Sequence, residues 1–364
     1  MINLSLVQQN LFILKRRYTP GIRTLPRGKL INRKGRGLGN VRIRFGYVAI
    51  SLDVPEGTPN KTISVKASEK ITNKDDRMSR LRRIMLVNLE TTLRILRYNA
   101  ASGIHLYRFT SKLVPLATHP LAAGWDYIAA AGTKWRDIGD YIRKNSMRVS
   151  AHPDHFTLLN SPKPDVLAAS LADLDYHVRI FEAMGIEALP SLVLHVGGLY
   201  NDKLTALARF TENFVQLPER LRRRIMLEND DKIYTAKDVL GLCEELGCPM
   251  VLDIHHHRCN NAGEHLQDLW PRIAATWSSV LPKIHVSSPK NQTDLRAHAD
   301  YVDLADVRPF INLATKTNLD FDIMVEAKQK DKAMFQLVED LVAEPGVRRS
   351  GQATVEIADL LGRG

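Results

Sequence analysis

Nine residues of metal-binding type stand at or just past the ends of apolar runs. They are His119 in ATHP, His152 in SAHPD, His195 in LHVGG, Glu228 in LEND, Asp253 and His256 in LDIHHH, His285 in KIHVSS, His298 in AHAD and Glu326 in MVEAK. Imidazole and carboxylate without thiolate suit Zn²⁺, Mn²⁺ or Fe²⁺. Nine ligands exceed the needs of one ion, so two or three divalent ions are expected. Ions held close together can carry a hydroxide, orient a phosphate and neutralise charge on attacking and leaving oxygens. Glu228 could bridge two ions through its two oxygens. Asp253 and His256, three apart, could serve neighbouring ions. Taken singly, each histidine reads more readily as a hydrogen-bonded core residue. Burying all nine without pairing or metal would cost several kcal/mol each, about 2–7 for a polar group alone.

Ligands so widely spread converge only if the elements carrying them end at one place. Eight short apolar runs read as buried parallel strands: Val41–Ile50, His105–Thr110, Met147–Ala151, Ser191–His195, Arg224–Leu227, Met250–Ile254, Lys283–Val286 and Asp322–Val325. Amphipathic stretches lie between them, at Met78–Asn99, Pro164–Gly185, Asp202–Leu217, Thr235–Gly247, Gly263–Trp277 and Lys332–Ala343. This alternation predicts a (β/α)₈ TIM barrel over residues 41–364, whose strands all end on one face. The first strand leads into GYVAISLDVPEG, which is not the glycine-rich phosphate loop of an open doubly wound sheet.

The other histidines fit the ring less well. His255 and His257 flank His256 and should point away from it in an extended segment. His177 falls within a helix and His265 at the start of another, both expected at the surface or in a supporting role. His105 begins its strand, at the wrong end. His155, three residues after His152, is placed to face substrate.

Net charge is +11, which favours a polyanionic partner. No acidic residue precedes Asp53, and the start is rich in arginine and lysine. Residues 1–40 are therefore read as a basic, flexible N-terminal extension outside the fold. Three cysteines without a CxxC argue against a disulfide framework and for a reducing interior. No stretch has the ~18 apolar residues of a membrane span. A cytoplasmic, nucleoid-associated monomer is expected, with organelle targeting by the arm as the alternative.

In this order, the fragments RFGYV, YRFTSKLVPLATHP, SAHPDHF, LVLHVGG, LENDD, VLDIHHH, KIHVSSP, HADYV and MVEAKQKDKA resemble the UV damage endonuclease family. That family looks related to the endonuclease IV class of barrel nucleases. The resemblance implies nicking of duplex DNA immediately 5′ of cyclobutane pyrimidine dimers, 6-4 photoproducts and abasic sites. It implies a trinuclear metal centre, usually associated with manganese, held by the nine residues above. Lys283 in KIH matches a lysine that can be carboxylated on its amine. An unmodified lysine touching a phosphate is the other reading. Tyr47 in RFGYV matches a residue near the damage pocket. One departure stands out. The family often carries Gln-Tyr after an HPG motif as a wedge against the lesion. Here HPDHF puts His155 and Phe156 in those places, which puts lesion preference in question but not hydrolysis.

Two other classes compete. A sugar isomerase or epimerase on a related barrel would need fewer histidines and would gain nothing from a basic surface. A noncatalytic nucleic-acid binder would leave the ligand set unexplained.

Overall fold

A computed structural model describes residues 40–358. Residues 1–39, which include nearly all of the expected basic extension, and residues 359–364 lie outside the described residues. All eight expected runs are strands: β1 (Asn40–Val48), β2 (Leu106–Phe109), β3 (Arg148–Ala151), β4 (Leu192–His195), β5 (Ile225–Glu228), β6 (Met250–Asp253), β7 (Lys283–Val286) and β8 (Phe321–Val325). Each pairs in parallel with the next, and β1 pairs with both β2 and β8, closing a (β/α)₈ TIM barrel.

The two-residue period of a strand decides what the barrel presents inward. On β8, Phe321 packs edge-on to Trp270 and Phe310 of the surrounding helices, with Ile323 and Val325 in the same phase. Asp322, Met324 and then Glu326 therefore face the barrel axis. The same phase gives inward Lys283 and His285 on β7, Val251 and Asp253 on β6, Met226 and Glu228 on β5, and Val193 and His195 on β4. Val193, Met226, Val251 and Trp277 make a small apolar plug. The rest of the interior is unusually charged. Asp322 is completely buried and takes Nε and Nη2 of Arg44 at 2.7 and 2.8 Å, and Nη1 of Arg148 at 2.6 Å.

Tyr47 is a correction to the sequence reading. It shares its phase with Ile43 and Phe45, is fully buried, and donates its hydroxyl to Asn99 Oδ1 at 2.7 Å in the helix Lys74–Ala101. It faces the helix layer and does not line the mouth.

The expected helices are present with local reasons for their ends. Asn73 caps Lys74–Ala101 by accepting from the amides of Asp75 and Asp76. Thr235 and Asp238 form a capping box on Ala236–Leu246, which ends on Gly247 at φ 67°. Helices Lys134–Lys144 and Leu304–Thr315 complete the outer layer. One element departs from a plain barrel. Strands β9 (Val347–Gly351) and β10 (Thr354–Ala358) form an antiparallel hairpin, and β10 pairs with the first half of β1, Asn40 opposite Ala358.

Candidate metal centre

The inward phase of β4 to β8 delivers His195, Glu228, Asp253, His285 and Glu326 to the C-terminal mouth of the barrel, where His152 joins them from just past β3. Donor atoms of two groups lie within 4.8 Å of one another: His152, His195 and Glu228 in one, and Glu228, Asp253, His285 and Glu326 in the other. Glu228 belongs to both. Its Oε2 is 3.1 Å from His152 Nε2 and 3.4 Å from His195 Nε2, while its Oε1 is 2.6 Å from His285 Nδ1. Glu326 Oε1 lies 2.9 Å from His285 Nδ1 and accepts from Arg108 Nη1.

His256 and His298 stand beside the first group. The His256 ring centroid is 5.6 Å from that of His195 and 6.5 Å from that of His298. His298 is held by a bridge to Pro289 in the segment after β7. His119 belongs to neither group. It caps the turn Pro120–Ala122, its Nδ1 accepting from Leu121 N at 3.1 Å, so its neutral ring carries the proton on Nε2. As placed, it offers no lone pair to an ion.

The donor set fits divalent cations. His285 is completely buried, yet its Nε2 has no partner, and the same holds for buried Asp253 Oδ2 and for His195 Nδ1. Unpaired buried polar atoms of this kind need an ion or a proton. His152 Nδ1 lies 2.9 Å from Pro153 O, and His256 Nδ1 lies 2.9 Å from Asn229 O. A carbonyl can only accept, so both rings carry a proton on Nδ1, which leaves Nε2 as the atom that an ion would take.

Charge is concentrated here. Burial works against the Glu228 carboxylate, but the imidazoles of His285 and His195 hold it well below the usual carboxylate range. Burial likewise opposes Glu326, and Arg108 and His285 hold it down. For His256, burial lowers basicity, yet Asp253, Glu228 and Glu326 together lift it to about 9. Lys283 is buried below this layer, with Nζ 3.1 Å from Ser150 Oγ. Desolvation, then Arg148 and Arg108, push its basicity well down.

Two further expectations are corrected by local structure. Ile254–Cys259 is a short helix, not an extended segment, with Asp253 as its N-cap. His255 is consequently buried, with its ring 5.4 Å edge-on from His298. His177 is buried rather than at the surface, its Nδ1 2.8 Å from Asp173 O. His105 sits at the far end, against Asn145 O, and His265 stands just before the helix Leu266–Thr276 without a capping hydrogen bond from its side chain.

At the rim, His155 and Phe156 have ring centroids 4.0 Å apart, and Phe156 is 69% exposed. His155, His152, His195, Gly197, Asp230 and Lys232 line a cleft of about 250 Å³ beside the first group. Gly197 has φ 119°, and a Cβ there would come within 2.3 Å of Asn160 Oδ1, so the turn after β4 requires glycine. Arg108 and Asn229 went unnoticed in the sequence. Arginine in LYRF reads as a strand-edge charge, and Asn229 in LEND carried no separate signal.

Residues 43–358 match the family model for UV-endonuclease UvdE. The chain is 44% identical over 316 residues to the UV DNA damage endonuclease of Bacillus mycoides (strain KBAB4), covering 86% of this chain and 99% of that protein. It is 42% identical to the UV DNA damage endonuclease of Bacillus cereus (strain B4264) over the same span. The solved structure of SacUVDE aligns with TM-score 0.73 and 32% identity, covering 82% of this chain and 98% of that one. Endonuclease IV from Thermus thermophilus aligns with TM-score 0.50 and 13% identity over 82% of this chain and 97% of that one, a likeness of fold.

Proposed function

The chain belongs to the UV-endonuclease UvdE family and is thus a DNA repair endonuclease, and from that membership we propose that it nicks damaged duplex DNA immediately 5′ of the lesion at a multinuclear metal centre. The proposed lesions are cyclobutane pyrimidine dimers, 6-4 photoproducts and abasic sites. The observation that carries the reading is Glu228 shared between two donor groups, with buried lone pairs left open around it. The proposed ligands are His152, His195, Glu228, Asp253, His256, His285, His298 and Glu326. His119 completes the set of nine only if its ring releases the Leu121 amide. Two or three ions are proposed, Mn²⁺ first and Zn²⁺ or Fe²⁺ as alternatives. Bound there, such ions would supply an activated water and neutralise charge on the phosphate.

The remaining work falls to the chain. Nδ1–H of His152 and of His256, each held by a carbonyl, fixes the ring orientation. Arg108 anchors Glu326. Phe156, exposed at the rim, is proposed to stack on a base at the lesion, and His155 to donate to the opposite strand. A damaged base leaves the stack at lower cost, so an exposed aromatic wedge selects deformable sites. Lys283 is proposed either as a phosphate contact or, after its amine adds to carbon dioxide with loss of one proton, as a carbamate. The negative carbamate would be flanked by Arg148 and Arg108. The sugar isomerase alternative has no support from the matched family. A cytoplasmic, nucleoid-associated monomer is proposed with this reading. No helix among the described residues is long and apolar enough to cross a membrane.

The test is to map the nick on a duplex oligonucleotide with one defined photodimer, alongside elemental analysis of the purified protein. A single cut 5′ of the dimer, leaving a 3′-hydroxyl and a 5′-phosphate, is expected. Intact irradiated plasmid from metal-loaded protein would sink the proposal.

The rim and the ring each carry a prediction. Base–aromatic stacking contributes about 1–3 kcal/mol, so Phe156→Ala should lower the preference for damaged over intact duplex by roughly tenfold, with metal content unchanged. An equal loss on both substrates would argue against a wedge. The second concerns pH. With its basicity lifted to about 9, ion-free His256 holds a proton at neutral pH and must release it to become a ligand. Metal affinity should therefore climb with pH and level off above about 9. Proton release on Mn²⁺ addition at pH 7.5, followed with an indicator dye, checks this. His256→Gln should release about one proton fewer.

A further inference from the structure

Asn229 is completely buried one residue beyond Glu228, and both polar atoms of its side chain and its backbone carbonyl are committed to Asp253 or His256. Its Nδ2 donates to the Asp253 carbonyl at 2.9 Å, and its Oδ1 accepts from the Asp253 amide at 2.9 Å. Side chain and peptide thus form a closed pair of hydrogen bonds, continuing the β5–β6 ladder where the two backbones part after Glu228 and Val251. Its backbone carbonyl takes the Nδ1–H of His256 at 2.9 Å. Asp253 spends Oδ1 on the His256 amide at 2.8 Å, which leaves Oδ2 as the buried oxygen without a partner.

We propose that Asn229 is a positioning residue that sets two metal donors at once, aiming Asp253 Oδ2 into the cluster and holding His256 as the Nδ1-protonated tautomer with Nε2 free. The proposal rests on the reading of this cluster as a metal centre. A donor held at both ends loses little freedom when an ion binds, and removing such a support typically costs 10–100-fold in metal affinity. Asn229→Asp keeps the shape but sets a carboxylate oxygen against the Asp253 carbonyl, breaking the pair on one side.

Mn²⁺ and Zn²⁺ titrations of the full-length chain test it. Asn229→Asp should bind the tightest ion on the order of 10–100-fold more weakly, while the ion-free proteins keep matching circular dichroism. In an Asp253→Ala background the same change should cost much less, because the donor that the Asn229 side chain holds is already gone. Unchanged affinity, or full additivity of the two losses, would overturn the proposal. If Asn229→Asp does not fold, ¹⁵N-histidine spectra of the wild-type zinc form decide, with His256 identified by its loss in His256→Gln. An Nδ1-protonated, Nε2-metallated ring is expected, and an Nε2-protonated one overturns the idea. A wild-type protein that binds no ion would sink the metal reading and this inference together, whereas normal wild-type binding with an indifferent Asn229→Asp would sink only the inference.

Discussion

Glu228→Gln should abolish nicking of irradiated supercoiled plasmid, with a fall in rate on the order of 10³-fold or more. Both donor groups close on this one carboxylate, with three imidazoles within 3.4 Å of its oxygens. Glutamine preserves shape and burial but removes the charge and replaces one acceptor with a donor that faces the rings. Each factor of ten corresponds to about 1.4 kcal/mol, so the expected loss is roughly 4 kcal/mol of transition-state stabilisation. Bound metal should fall in the same samples, while salt-dependent binding to intact duplex, which depends on surface cations, should be retained. A variant that still nicks within tenfold of wild type would show that the shared carboxylate is not at the centre of the chemistry.

Asp322→Ala should cost about 3–5 kcal/mol of stability, the usual result of stripping one partner from a buried charge network. Arg44 and Arg148 would keep their positive charges in the barrel axis with no counter-charge between them. The pH dependence has a definite sign. Burial works against the Asp322 carboxylate, but Arg148 and Arg44 hold it below its ordinary value of 3.8. A depressed carboxylate contributes in full above that value, and the contribution is lost as pH falls through the folded value. The gap between wild type and variant in urea midpoint should therefore be constant from pH 5 to 8 and narrow in stronger acid. A cost under about 1 kcal/mol at pH 7 would mean that the network is solvated in solution.

The barrel was legible because parallel strands buried on both faces must be short and apolar; LVLH, IMLE and MVLD satisfy that while ending on a residue of donor type, and KIHV carries His285 one residue before its end. Five of the nine expected donors, His195, Glu228, Asp253, His285 and Glu326, gather at the mouth for a related reason: side chains one strand-period apart share a face, whereas His256 and His298 come from the segments beyond β6 and β7. What failed was finer. Tyr47 was placed by resemblance, although its spacing from Ile43 and Phe45 already assigned it to the outer face. The turn after Asp253 read as extended because three consecutive histidines conceal a cap, with the Asp253 side chain on the His256 amide. The hairpin Val347–Ala358 escaped because its charged, half-exposed alternation carries little apolar signal. Arg44, Arg108 and Arg148 escaped because an arginine in a strand is expected to reach solvent, and only barrel closure turns it to the axis.

The pairing of Asn40 with Ala358 has a practical side. The first and last described residues lie side by side at the start of β1, on the face of the barrel opposite the mouth. A tether, dye or surface anchor attached at Asn40 or Ala358 would thus sit behind the barrel and leave its mouth toward the solution. Immobilised in that way, molecules would share one orientation toward DNA stretched above them, which suits direct counting of single nicks.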